Sequence, residues 1–144
     1  MKLKCDLVIV DKRRYADNKA EVMNVIGDVL DKIVVVYDDI CDTAGSLCNA
    51  AAALKARGAK LVFGCVTHPV LSGPAVERIR NSCFEKVLFS DSIPIPPEKL
   101  KEMEKVEVVS CSQLLANSVA YIHVNESKNK FYQQNQSIAM SKLH

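Results

Sequence analysis

Two clusters in this chain could do chemistry on an anion. In "VVVYDDICDTAGS" an apolar run ends in Asp38 and Asp39, and Asp42-Thr43-Ala44-Gly45-Ser46 follows after two residues. Upstream stand Lys12-Arg13-Arg14. The Asp42–Ser46 segment opens a helical pattern, and the first N–H groups of a helix lack internal acceptors and carry the positive end of its dipole. A phosphate is therefore welcome there, with Ala44 and Gly45 letting it approach the backbone and Thr43 and Ser46 adding hydroxyl donors. Two carboxylates alone would repel that anion. A ligand with a phosphate at one end and vicinal hydroxyls nearby removes the conflict, because Asp38 and Asp39 accept from the hydroxyls. Ribose 5-phosphate is such a ligand. An Asp or Thr before a helix is usually only an N-cap, so Asp42 or Thr43 alone would mean little; the combination is more specific. No lysine of the G-x-x-x-x-G-K-[ST] type is present, so this is not a Walker loop.

Lys12, Arg13 and Arg14 read by spacing alone as a solvated basic loop after the first strand. An extended chain there projects Lys12 and Arg14 to one side and Arg13 to the other. Beside an acid-and-phosphate site, such cations would serve phosphoryl or diphosphoryl transfer, where positioning and positive charge are the protein's main tools.

The elements that must position these residues alternate. Apolar runs predict strands over 6–10, 32–37, 60–66, 86–89 and 106–109, and helical patterns fall at 45–57, 73–81, 97–103 and 112–123. Several runs are continuously apolar, as strands covered on both faces are. In the first helix Leu47, Ala51 and Leu54 fall at i, i+4 and i+7, and Gly58 supplies a stop. The stretch 21–29 suits helix or strand; a strand forming an antiparallel hairpin with the next run through Asp31-Lys32 is the preferred reading. The whole predicts an α/β fold, a mostly parallel sheet with helices on both faces, ligands collecting beyond the carboxyl ends of the strands.

The 144 residues suit one domain with a real core. Charges balance through residue 124, and the net +2 arises beyond it. That argues against nucleic acid or an anionic membrane as partner. No apolar run nears the ~18 residues of a membrane span, and "MKLKCDLVIVDKRR" turns charged too early for a signal peptide. Six cysteines show no C-x-x-C and no zinc-like spacing, which predicts reduced thiols in a cytoplasmic protein. Cys41 sits within the ligand loop, where flanking acids disfavour its thiolate. His68, before Pro69 at a strand end, reads as structural. Residues 125–144, rich in Asn and Gln, read as a polar tail behind a domain spanning 1–124.

"VVVYDDICDTAGS" resembles the phosphoribosyl-diphosphate-binding motif of type I phosphoribosyltransferase-like proteins. With "DLVIVDKRRYADN", "EVMNVIGDV", "LCNAAAALKARGAKLVF" and "VTHPVLSGPAVERIRNS", the chain from Asp6 to Val124 resembles the C-terminal half of the ribose-phosphate diphosphokinase (phosphoribosyl-pyrophosphate synthetase) family. The resemblance implies a phosphoribosyltransferase-like fold and transfer of diphosphate from ATP to ribose 5-phosphate. By motif position, Lys12 and Arg14 stabilise the transferring group, Asp38 and Asp39 hold the ribose hydroxyls, and Asp42, Thr43, Ala44, Gly45 and Ser46 hold the 5-phosphate. Arg14 also touches substrate phosphate. It further implies Mg²⁺ bound mainly through substrates and an N-terminal half that has no counterpart here. No metal ligand is assigned within this chain, which alone is expected to be inactive. A homo-oligomer is implied as well.

Two features depart from the family: Ser46 stands where many relatives have Thr, and an Asn/Gln/Lys-rich insertion precedes "QSIAMS". Three other readings compete. A phosphoribosyltransferase would share the acidic loop but not the Lys12–Arg14 arm or "THPVLSGPA". A non-catalytic synthetase-associated regulatory subunit would tolerate degraded site positions, yet these are intact. A bare Rossmann domain would need a G-x-G-x-x-G that follows no strand here.

Overall fold

The computed structural model describes residues 5–13 and 22–123, without the side chains of residues 12, 13 and 22. Two strands come first, β1 (Ile9–Arg13) and β2 (Val22–Ile26), and they pair antiparallel, Val10 facing Val25. There follow β3 (Ile33–Cys41), α1 (Gly45–Ala56), β4 (Leu61–Pro69), α2 (Ala75–Arg80), β5 (Lys86–Ser90), α3 (Pro97–Lys101), β6 (Val106–Val109) and α4 (Ser112–His123). Strands β3 to β6 lie side by side in chain order, all parallel. The architecture is α/β, a four-stranded parallel sheet flanked by helices. Asp6–Val109 make up one compact unit; Ser110–His123, with α4, belong to a second. The polar stretch expected over 125–144 lies outside the described residues.

The spacing read in the first helix holds. Leu47, Ala51 and Leu54 are all buried in one cluster with Val62, Val66, Ile79, Val87 and Phe89. The helix ends on a Schellman motif. Gly58, at φ 88°, donates to the Lys55 carbonyl, and the Ala59 N–H returns to Leu54. The left-handed conformation needed there is one that glycine adopts without a Cβ penalty.

Three expectations change. The first strand runs over Ile9–Arg13 rather than 6–10, so Lys12 and Arg13 are strand residues and not a loop. It joins a separate two-stranded sheet rather than the parallel one. The segment around Val25 is a strand in an antiparallel pair, but its partner is β1 rather than β3. The turn meant to fold it onto β3 is tied elsewhere: the Asp31 N–H donates to Gly58 and the Lys60 N–H to Lys32. Those bonds lay β3 alongside β4 instead. The third change is length. β3 runs on through Cys41, carrying Asp38 and Asp39 inside the strand.

Candidate functional site

The site is built where β3 passes into α1. Adjacent residues of a strand point to opposite faces, and the burial along β3 follows that rule: Val34, Val36 and Asp38 are half-buried, while Ile33, Val35, Tyr37 and Asp39 are exposed. Asp38 and Asp39 therefore leave the strand on opposite sides, and only the first belongs to the face packed on the core. The Asp39 N–H donates to Asp38 Oδ1 at 3.0 Å. Burial pushes the Asp38 carboxyl above its ordinary value of 3.8. The Asp39 N–H pulls it partly back, and the neighbouring Asp39 carboxyl adds to the rise.

Beyond Cys41 the chain turns through Asp42 and Thr43, both exposed, to Ala44. Ala44 is the N-cap of α1, with φ 59° and ψ 7°, the left-handed region that a non-glycine residue occupies only at a cost. Among the described residues no side chain caps the helix, and no acid stands in its first turn. The capping role that Asp42 or Thr43 could have had is thus not the one adopted. Ala44 is itself buried, its methyl in the core rather than at a ligand surface. Gly45 does lack room: a Cβ there would lie 3.1 Å from Arg78 Nη1 and 3.8 Å from Thr43 Oγ1. Ser46 is exposed on the first turn of α1.

What holds this turn comes from further along the chain. The Leu71 N–H donates to the Cys41 carbonyl at 3.0 Å and the Ser72 N–H to the Asp42 carbonyl at 2.9 Å. Arg78 Nη1 donates to the Thr43 carbonyl at 2.9 Å. Three successive carbonyls are pinned by the β4–α2 connection and by α2. Leu71 is buried with φ 53°, and its own carbonyl accepts from Lys99 Nζ at 2.9 Å. On the α2 side lies a groove of about 760 Å³, lined by Gly45, Cys48, Asn49, Arg78 and Asn81 among others; Asp38 and Asp39 do not line it.

Cys41 is buried, and its thiol is pushed up to about 12, by burial first and by nearby Cys48 and Asp38 after it, against the opposing Ala44 N–H. It is an inert packing residue near neutral pH, as expected, with burial rather than the flanking acids as the chief cause. His68 is tied to its neighbours: its Nδ1 meets Ser92 Oγ at 2.9 Å, and the Ser90 and Ser92 hydroxyls both donate to the Thr67 carbonyl. Among the described residues no group of three or more His, Cys, Asp or Glu could hold a metal ion.

Of the residues singled out by sequence, the structure brings together Asp38, Asp39 and Asp42 through Ser46 along one strand-to-helix passage. Lys12 sits in β1 with its backbone facing Met23. Arg14 lies outside the described residues. Arg78, Leu71 and Ser72 were missed. Their only signal was membership of the motif "VTHPVLSGPAVERIRNS"; an arginine on a helix otherwise reads as a solvated charge.

Residues 10–133 match the family described as the phosphoribosyl synthetase-associated domain. A ribose-phosphate pyrophosphokinase of Caldanaerobacter subterraneus subsp. tengcongensis is 46% identical over 131 residues, 91% of this chain and 41% of that protein. One from Xanthomonas axonopodis pv. citri is 49% identical over 88% of this chain and 40% of its own length. The chain thus spans about two fifths of these curated relatives. The crystal structure of phosphoribosylpyrophosphate synthetase from Mycobacterium smegmatis superposes with a TM-score of 0.67 at 34% identity, over 72% of this chain and 34% of that one. A family match over most of the chain, on the motifs that build this passage from strand to helix, places the protein in the phosphoribosyl synthetase-associated domain family.

Proposed function

We propose that this chain is the C-terminal, ribose 5-phosphate-binding and catalytic-arm half of a ribose-phosphate diphosphokinase, with a phosphoribosyltransferase-like fold. The observation that carries the reading is the uncapped start of α1, headed by left-handed Ala44 and approached through Asp38 and Asp39. Amides of the first helical turn and the Thr43 and Ser46 hydroxyls take the 5-phosphate. Asp38 and Asp39 leave the later half of β3 on opposite sides, and each accepts a hydrogen bond from a ribose hydroxyl. The names of the relatives support diphosphate transfer to a ribose phosphate; in the reaction proposed, the anomeric hydroxyl attacks the β-phosphorus of ATP, the bond from that phosphorus to the α-bridging oxygen breaks, and AMP leaves with phosphoribosyl diphosphate formed. Lys12 and Arg14 neutralise charge on the diphosphoryl group as it transfers.

Mg²⁺, as the family resemblance implies, belongs mainly with the substrate phosphates and with an N-terminal domain supplied as a partner, where it would neutralise phosphate charge. The working enzyme is a cytoplasmic homo-oligomer of completed subunits. The phosphoribosyltransferase and regulatory-subunit readings gain no observation of their own from the fold or the relatives.

Incubating the 144-residue chain with ATP, ribose 5-phosphate and Mg²⁺ is expected to release no AMP, and release by the chain alone would overturn the half-enzyme reading. In a synthetase completed with the N-terminal half, Lys12→Ala is expected to lower kcat ~10²–10³-fold with a far smaller rise in the KM for ribose 5-phosphate. Normal turnover in that variant would remove Lys12 from the chemistry.

A further inference from the structure

We infer that Arg78 is a positioning residue for phosphate binding, acting from behind the acidic turn without touching the ligand; this rests on the ribose 5-phosphate reading. The argument begins with peptide planes. A trans peptide sets its N–H opposite its carbonyl, so the direction of each carbonyl in the turn fixes the direction of the next amide. The carbonyls of Cys41 and Asp42 accept from the Leu71 and Ser72 N–H groups. The amides of Asp42 and Thr43 consequently face away from the β4–α2 connection.

The next plane, between Thr43 and Ala44, enters the helix and is held at both ends. Arg78 Nη1 takes its carbonyl at 2.9 Å, and its N–H, that of Ala44, meets the Cys41 sulfur. Immediately after it Ala44 takes its left-handed conformation, φ 59°. A residue so strained keeps that geometry only where its surroundings over-determine it. Release of the Thr43 carbonyl lets the plane rotate and Ala44 relax, and the amides at the start of α1 then lose the alignment that makes an anion site.

The other two rungs are backbone bonds, which no substitution short of proline would delete. Arg78 is the side-chain rung. Its guanidinium also lies over the first helical residue, 3.1 Å from where a Cβ on Gly45 would be, so glycine at position 45 and arginine at position 78 fit one another. A charged donor on a neutral carbonyl is the stronger kind of hydrogen bond.

The test compares the full 144-residue chain with Arg78→Met and Arg78→Lys, by amide hydrogen exchange and by titration with ribose 5-phosphate and with unphosphorylated ribose. Arg78→Met is expected to speed exchange at residues 43–46 and to weaken ribose 5-phosphate about tenfold. Exchange at Val62 and Val66 in the core should not change, nor should any weak response to ribose. Arg78→Lys, whose ammonium can still reach the Thr43 carbonyl, is expected to recover most of the loss. Uniformly faster exchange across the core would make Arg78 a general structural residue and overturn the inference. Parental exchange and affinity in Arg78→Met would overturn it as well. If the parent chain takes up no ribose 5-phosphate, the functional reading falls and this inference with it. A binding parent with an unaffected Arg78→Met removes the inference alone.

Discussion

Asp38 is held half-buried at the end of β3, beside a second carboxylate, with its carboxyl pushed upward by burial. A structural residue at this position would be better without the charge. The sign of the effect on stability follows from linkage. Below the ordinary value of 3.8 the group is protonated in both folded and unfolded chains, and folding meets no burial penalty from it. As pH rises past 3.8 and then through the raised folded value, the unfolded chain ionises first and that stability is lost. Asp38→Asn removes the charge yet keeps an oxygen for the Asp39 N–H. It is therefore expected to raise the thermal midpoint at pH 7, with the gain shrinking as pH falls toward 3.8. Thermal unfolding at the two pH values checks this, and a variant less stable than the parent at pH 7 would show that Asp38 is an ordinary structural carboxylate. At this scale the acids and the hydroxyls stood out in the sequence because their side chains are the signal, and the glycine because it has none. Ala44 was not. Its burial and left-handed backbone are set by bonds from residues 71, 72 and 78, and nothing in "DTAGS" announces them.

Among the elements, α1 carries the most constraint. Its start faces the candidate site, its buried stripe anchors the core, and its end is closed by the Schellman motif at Gly58. Gly58 also packs closely on the preceding turn, where an added Cβ would lie 2.6 Å from Leu30 Cδ1. Gly58→Ala is expected to cost about 1–3 kcal/mol, from left-handed strain together with displacement of Leu30. Chemical denaturation measures it, and an unchanged midpoint would mean that the motif rearranges freely. The helix, its stop and the parallel strands could be read from apolar period and glycine placement. The pairing of β2 could not, because antiparallel partners on either side satisfy the same alternation. What decided it was the pair of backbone bonds tying Asp31 and Lys60 across to the α1–β4 junction. Likewise the apolar run in β3 signalled a strand, while its extension through two aspartates depends on pairing with Val66, His68 and Pro69 of β4.

For the molecule as a whole, one face of β3 remains open: Ile33, Val35 and Tyr37 are 62%, 61% and 73% exposed. Such a row of apolar residues on an edge strand is what a protein normally covers. It accords with a chain that spans two fifths of its relatives and works, in the reading given above, only as part of something larger. The proposed site nevertheless lies in one piece, since the strand end, the turn and the head of α1 all fall within the unit Asp6–Val109. Calorimetric titration of ribose 5-phosphate into the 144-residue chain and into Asp38→Asn tests that claim most directly. Saturable binding at one site per chain, clearly weakened in the variant, is the result predicted. No binding to the parent chain, or equal affinity in the folded variant, would contradict it.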